Sequence, residues 1–332
     1  MQQSKANRLT RLSSRRAAAS IPVALTKWKF ARSVIRKHLC PCLREQLTAL
    51  NMGSNLPTQP VSLGPLLRVR GLTKHFVRGG LWHKRVSVAA VDNVDLELAG
   101  GQTLALVGES GSGKSTVARC VAAIERPDSG EIWIGDQNIV AANSRALMPL
   151  HAQVQMVFQD AITSMNPRFT ALQIIEEPLR IQGRRAPSAR EAVGQAMTEV
   201  GLPASWMERP VMEFSGGQRQ RLAIARALVV RPKLFVLDEA LTGLDLSTQA
   251  QIANLLMDLQ ASHSFAYLLI SHDLALVAHM ADTIAVMAHG RMVEAGSAPQ
   301  MITAPKHDET IRLAEAARMA QSNLINITGA TV

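Results

Sequence analysis

A chain of 332 residues, 47% hydrophobic but only 4% aromatic, is long enough for one large domain or two small ones with a full core. No stretch approaches the ~20 uninterrupted apolar residues of a membrane-spanning helix, so a soluble chain, or one held at a membrane by a partner, is expected. The formal charge of +10 is confined to the start: residues 1–51 hold 11 of the 36 Lys/Arg and one of the 26 acids, leaving 25 of each sign in residues 52–332. That balance excludes bulk attraction to a polyanion as the means by which the body works.

In chain order, residues 1–64 are foreign to the rest: basic first, then rich in Asn, Pro, Gln and Gly. An Arg-rich, acid-poor start resembles an organelle transit peptide. The basic segment from Trp28 to Leu39 could touch anionic lipid. The plainer expectation is a disordered extension, or upstream sequence translated ahead of a true start at Met52. Cys40-Pro-Cys42 has no second pair to complete a zinc site, and with Cys120 the three cysteines exclude a disulfide framework. A reducing, cytoplasmic setting is expected.

Order is expected from Leu66. Leu66–Val69 and Val86–Leu98 read as strands, with Gly79 and Gly80 turning between them. Leu104–Val107 is a short apolar run ending in a glycine loop, as in a buried parallel strand. A helix is predicted from Lys114 to about Ile124, closed by Pro127 and Gly130. Ile132–Ile134 reads as a strand. Residues 161–229 lack strand patterning, carry prolines at 167, 178, 187, 203 and 210, and read as several helices. Strands return at Leu234–Leu237, Tyr267–Ile270, Thr283–Met287 and Met292–Glu294. The pattern predicts a parallel α/β core with a helical insert, and no internal repeat is visible.

Gly108-Glu109-Ser110-Gly111-Ser112-Gly113-Lys114-Ser115-Thr116 matches G-x-x-x-x-G-K-[ST] between a predicted strand and a predicted helix. Glycines let backbone N–H groups turn inward around phosphate oxygens, and the helix N-terminus adds its positive end. Lys114 would reach the β- and γ-phosphates, and the Ser115 hydroxyl would ligate Mg²⁺. Leu234–Leu237 delivers two acids at its carboxyl end, where α/β sheets place ligands. Asp238 is suited to hold Mg²⁺ through water, and Glu239 to orient or deprotonate the attacking water. An Asp-Glu pair after a strand also serves as a helix cap; the upstream glycine loop favours the catalytic reading.

Phe214-Ser215-Gly216-Gly217-Gln218-Arg-Gln-Arg221 opens a second predicted helix, Gln218 to about Val229, and makes a second anion-binding helix end. The segment resembles the signature motif of ABC ATPases, with Phe214 in the position usually held by Leu. That resemblance covers residues 66–300. It implies a P-loop NTPase fold, with a RecA-like parallel core, an antiparallel β subdomain and an ABC helical subdomain. The domain reading is an extension over 1–64, a nucleotide-binding domain over 65–300 with its helical part at 161–229, and a C-terminal helical tail over 301–332.

The resemblance further implies ATP and Mg²⁺ as cofactors, and a head-to-tail pair in which each ATP lies between one subunit's Lys114 loop and the other's Ser215–Gln218 loop. Gln159 resembles the glutamine that senses the γ-phosphate and Mg²⁺. Asp245, in Thr242-Gly-Leu-Asp245, resembles the aspartate that crosses the dimer interface. His272, in Ser271-His272-Asp273, resembles the switch histidine on the γ-phosphate. Phe76 is the candidate for stacking on adenine, with Trp82 nearby as the alternative. Ser164-Met-Asn166-Pro167-Arg168 is similar to the oligopeptide, dipeptide and nickel importer branch. The implied setting is peripheral, at the cytoplasmic face of the inner membrane, with permease subunits, a second ATPase, identical or paralogous, and indirectly an external solute-binding protein.

Two departures from that branch stand out. Ala240-Leu241 replaces Pro-Thr after Glu239, which should loosen the turn because no ring restricts φ. The C-terminal motif of the branch is at best vestigial at Lys306–Thr310, which bears on the peptide cargo rather than the ATPase. A DNA-repair or chromosome ATPase would carry a coiled coil or zinc module between the two motifs; Ser115 to Ser215 shows neither heptads nor cysteine pairs, and no nucleic-acid partner is expected. A ribosome-acting member would carry two cassettes. Exporters and lipoprotein-release ATPases differ mainly at Ser164–Arg168.

Overall fold

The computed structural model describes residues 64–78, 86–158, 165–183 and 187–316. The expected N-terminal extension up to residue 63, the Gly79–Gly80 turn, Trp82, Gln159, Ser164 and the tail beyond 316 lie outside the described residues.

Two sheets organise these residues. The first has order β2-β1-β4-β5, from β1 (Leu67–Arg78), β2 (Val86–Leu98), β4 (Ser129–Ile134) and β5 (Gln137–Asn138), all antiparallel. β1 runs to Arg78, well past the Val69 end expected from alternation. Its register against β2 shifts between Val69 and Leu72 and again around Lys74, so the period of two is broken where the strand continues. Gly71, at φ 58°, sits in the first shift.

The second sheet has order β10-β9-β3-β8-β7-β6. Its strands are β3 (Thr103–Val107), β6 (Val154–Val157), β7 (Leu234–Asp238), β8 (Ala266–Ile270), β9 (Thr283–Ala288) and β10 (Arg291–Ser297). All pairings are parallel except β9 with β10. β3, β7 and β8 are buried along their whole length, which is why they read as unbroken apolar runs. β8 lies between β3 and β7. The loops after these three strands therefore leave the same edge side by side. The loop after β3 carries Gly108–Ser115, that after β7 carries Glu239 and that after β8 carries Ser271–His272.

Helix α1 (Lys114–Val121) follows the glycine loop and stops short of the predicted Ile124, where Ala123 turns left-handed at φ 56°. α2 (Ser144–Gln153) and β6 escape the sequence reading: β6 is four residues, two of them only half-buried. The helical subdomain comprises α3 (Ala171–Ile181), α4 (Ser188–Glu199) and α5 (Gly216–Leu228), joined by one-turn 3₁₀ segments at 204–206 and 211–213. Ile174, Ile175, Leu179, Val193, Met197 and Leu222 bury its interior. Phe214 is buried with them, its ring edge-on to Trp206 at 5.9 Å, and the Arg209 guanidinium lies 5.0 Å from both rings. An aromatic thus fills the position just before Ser215. α6 (Leu246–His263), α7 (Leu274–Met280) and α8 (Ala298–Thr303) complete the core, and 308–316 is helical.

Candidate nucleotide-hydrolysis site

The loop between β3 and α1 has glycine where nothing else fits. A Cβ on Gly108, at φ 150°, would stand 2.1 Å from the Met287 carbonyl oxygen. One on Gly113, at φ 106°, would stand 2.2 Å from the Ala90 carbonyl oxygen. Glu109, Ser110 and Gly111 form the exposed rim, Ser112 is buried, and the Thr116 N–H closes the first turn on the Gly113 carbonyl. Gly113 has no side chain with which to cap α1.

Lys114 is buried, and its ammonium donates to the Gly108 and Glu109 carbonyls at 2.8 and 2.7 Å and to Ser112 Oγ at 3.2 Å. Burial pulls its pKa below the ordinary lysine value, against the pull of Glu239 and Asp238. Ser115 Oγ donates to Asp238 Oδ1 at 2.8 Å. Burial raises the Asp238 carboxyl above the ordinary range, although the Ser115 hydrogen bond works the other way. A hydroxyl and a carboxylate oxygen this close are a hard-oxygen donor set, so the residues present fit Mg²⁺.

Glu239 adopts φ 47°, uncommon for a residue with a side chain. Its N–H donates to the Ile270 carbonyl at 3.0 Å, and its carboxylate lies 3.7 Å from Nδ1 of His272. Both side chains reach solvent, His272 at 59% and Glu239 at 25% exposure. The turn that Ala240 was expected to loosen is fastened instead. Thr242 donates from N–H and hydroxyl to the Glu239 carbonyl, and the amides of Gln220 and Gln249 donate to the Ala240 and Leu241 carbonyls at 2.6 and 2.9 Å. These three side-chain fasteners, Thr242, Gln220 and Gln249, escaped the sequence reading. Their contacts are side chain to backbone across 3 to 20 positions and leave no motif.

Phe76 lies on β1 opposite Val88, 41% exposed, with the Lys74 ammonium 5.5 Å from its ring. Gln159 lies outside the described residues, two positions after β6, which pairs with β7.

The second glycine motif stands elsewhere. Ser215 caps α5: its hydroxyl accepts the Gln218 N–H while the Gln218 side chain accepts the Ser215 N–H. Asp245 caps α6 through the Thr248 N–H and hydroxyl, at 2.9 and 2.7 Å. These hydrogen bonds hold its carboxyl below the usual range. Ser215, Gly216, Gly217, Gln218 and Asp245 line one cleft of about 580 Å³ with Trp206, and none of the residues from Gly108 to Thr116 borders it. A Cβ on Gly217 would stand 2.7 Å from Cγ2 of Thr248, so the two caps are pressed together.

The sequence profile described as ABC transporter matches residues 91–242, which spans the glycine loop, Asp238, Glu239 and the Ser215 loop. The dipeptide transport ATP-binding protein of Haemophilus influenzae is 42% identical over 80% of this chain and 83% of its own length. The chain belongs to the ABC transporter ATP-binding family. The oligopeptide transport ATP-binding protein of Lactococcus lactis is 40% identical over 76% of this cassette and 81% of its own length. Among solved structures, a dimeric ATP-binding cassette in a post-hydrolysis state with ADP and Pi superimposes with a TM-score of 0.62 at 25% identity, over 70% of this chain and 98% of that one. A cassette of Clostridium perfringens, described as part of a transporter complex, gives the same score over 79% and 99%. The cassette is an ATPase of the P-loop α/β fold, and the family works with ATP and Mg²⁺.

Proposed function

We propose that this cassette powers the uptake of dipeptides, oligopeptides or a related solute. The observation that carries the reading is the identity of 40–44% to peptide-transport ATP-binding proteins over three quarters or more of the chain. The Asn166 turn, in which Oδ1 accepts the Arg168 N–H at 3.0 Å, lies within the branch-like segment.

In this reading Lys114 and the backbone from Gly108 to Thr116 hold the β- and γ-phosphates, and Phe76 stacks on adenine. Ser115, Asp238 and Gln159 would hold Mg²⁺, which would draw charge from the phosphate oxygens. Glu239 accepts the proton of the attacking water, and His272 contacts the γ-phosphate while steadying Glu239. Ser215, Gly216, Gly217, Gln218 and Asp245 of a second cassette, identical or paralogous, close the site head to tail. The exposed Leu246 beside Asp245, at 64%, supplies apolar area to that contact.

Motion leaves through a groove between α2, β6, α3 and α5. Met148, Phe158 and Ile181, all exposed, border it together with Gln155, Gln182 and Arg226. A helix of a permease subunit covers these apolar side chains, which holds the cassette peripherally at the cytoplasmic face of the inner membrane. No helix among the described residues is long and apolar enough to cross a membrane. The external solute-binding protein acts through the permease.

The test is uptake of labelled dipeptide by vesicles holding the assembled transporter. ATP-dependent uptake is expected, and Glu239→Gln should keep nucleotide binding while cutting turnover about 10²–10⁴-fold. Turnover at the wild-type rate in that variant would remove Glu239 as the base. ATP hydrolysis that responds to another solute and not to peptide would remove the cargo.

A further inference from the structure

The turn after β7 is held by side chains that reach it from two different helices. Glu239 is left-handed, and the two residues behind it, Ala240 and Leu241, are each only 2% exposed. Proline at 240 would have preset the backbone; alanine does not. Two side-chain amides take over. Gln249 reaches Leu241 from α6, the helix that begins at Asp245, and Gln220 reaches Ala240 from α5, the helix that begins at Ser215.

Gln220 is the more telling of the two. It is 3% exposed, so its amide is committed to the interior, and its 2.6 Å bond to the Ala240 carbonyl is wholly buried. It stands five residues beyond Ser215 on a continuous helix, about 7.5 Å along the axis. A helix segment this short moves as a rigid rod. Whatever displaces the Ser215 end displaces the amide that holds the Glu239 turn.

We propose that Gln220 is a positioning residue that ties the Ser215 loop to the Glu239 turn of the same chain, and so links the two nucleotide sites of an assembled pair. The inference rests on Glu239 as the base and on head-to-tail pairing. In such a pair Ser215 of one chain faces the nucleotide of its partner, while Glu239 faces its own. Docking of α5 against one nucleotide then sets the carboxylate at the other. Gln249 does the same from the Asp245 side, where Gly217 and Thr248 already press α5 against α6.

Gln220→Met keeps the length and volume of the side chain and removes the donor. The measurements are kcat, KM and Hill coefficient for ATP, affinity for a fluorescent nucleotide, and thermal melting, on the assembled transporter. The expected result is a fall in kcat on the order of 10- to 100-fold, the scale of a small misplacement of a catalytic group. Nucleotide affinity should hold, melting should fall by no more than the loss of one buried hydrogen bond, and the Hill coefficient should fall toward one. The double variant Gln220→Met/Glu239→Gln should be no slower than Glu239→Gln alone, because Gln220 acts through that carboxylate. An unchanged kcat in Gln220→Met with a slow Glu239→Gln overturns the proposal and leaves the base in place. So does a full additional loss in the double variant. A wild-type rate in Glu239→Gln removes both. If Gln220→Met does not fold, Gln220→Asn replaces it with the same expectations, since its amide falls one methylene short of Ala240.

Discussion

Two helix ends in this chain are built on glycine, and they are built in opposite ways. At α1 the capping position is Gly113, with no side chain, and a buried lysine and a buried carboxylate stand beside it at electrostatic cost. At α5 the Ser215–Gln218 pair caps itself, and the neighbouring Asp245 is exposed and stabilised by its own helix. The first end is glycine-capped with buried charge beside it; the second is capped by its own side chains and opens on a cleft. The proposed function gives the first end to a ligand's phosphates and the second to a surface that arrives from a second cassette. On the proposed head-to-tail reading, one chain holds one phosphate cradle and the complementary half of another.

Breaking the glycine-capped end should have the larger effect. Lys114→Ala removes the only lysine of the loop, and ATP affinity should fall about 100-fold or more, the scale of two lost charge-assisted hydrogen bonds; equilibrium binding of a fluorescent nucleotide reads this out. At the self-capped end the disturbance is geometric. Gly217→Ala drives a methyl group into Thr248 and pulls its hydroxyl from Asp245. Turnover should drop roughly tenfold, the misplacement costing a fraction of what P-loop loss does, with ATP affinity for the isolated chain unchanged. Equal losses of affinity from the two variants would erase the distinction between the ends.

The smallest effect concerns stability. Burial raises the Asp238 pKa in the folded chain, so the associated stability is full below the unfolded value and is lost as pH rises through the folded one. At pH 7 the ionised carboxylate is a net cost. Asp238→Asn should therefore raise the melting temperature of the nucleotide-free chain at pH 7, by about 1 kcal/mol in stability, while abolishing Mg²⁺-dependent turnover. The gain should vanish in acid, below the ordinary carboxylate range. A melting curve that does not move at pH 7 would show that Ser115 and the nearby cations already offset the charge.

What was legible in the sequence was the chemistry that forces residue types to fixed spacings. Glycines at 108 and 113 are dictated by carbonyl oxygens about where a Cβ would be. Asp238 and Glu239 end an apolar run because a buried strand must deliver them. β6 and the far half of β1 were not legible, one for brevity and one for its register shifts, which cancel the alternation. Nor was the fastening of the Ala240 turn. The change from Pro suggested looseness, but the restraint had moved to Gln220 and Gln249, whose partners are backbone atoms brought near only by the fold.

Mixing two crippled chains tests the central claim most directly. A chain with Lys114→Ala keeps its Ser215 loop, and a chain with Ser215→Arg keeps its Lys114 loop; each should be inactive alone under conditions where the wild-type chain hydrolyses ATP. If each ATP lies between the two ends of different chains, the mixture forms one intact site and phosphate release returns in part, slowed because the Glu239 of that site sits in the chain whose Ser215 end is broken. A mixture as inactive as its components would contradict the account.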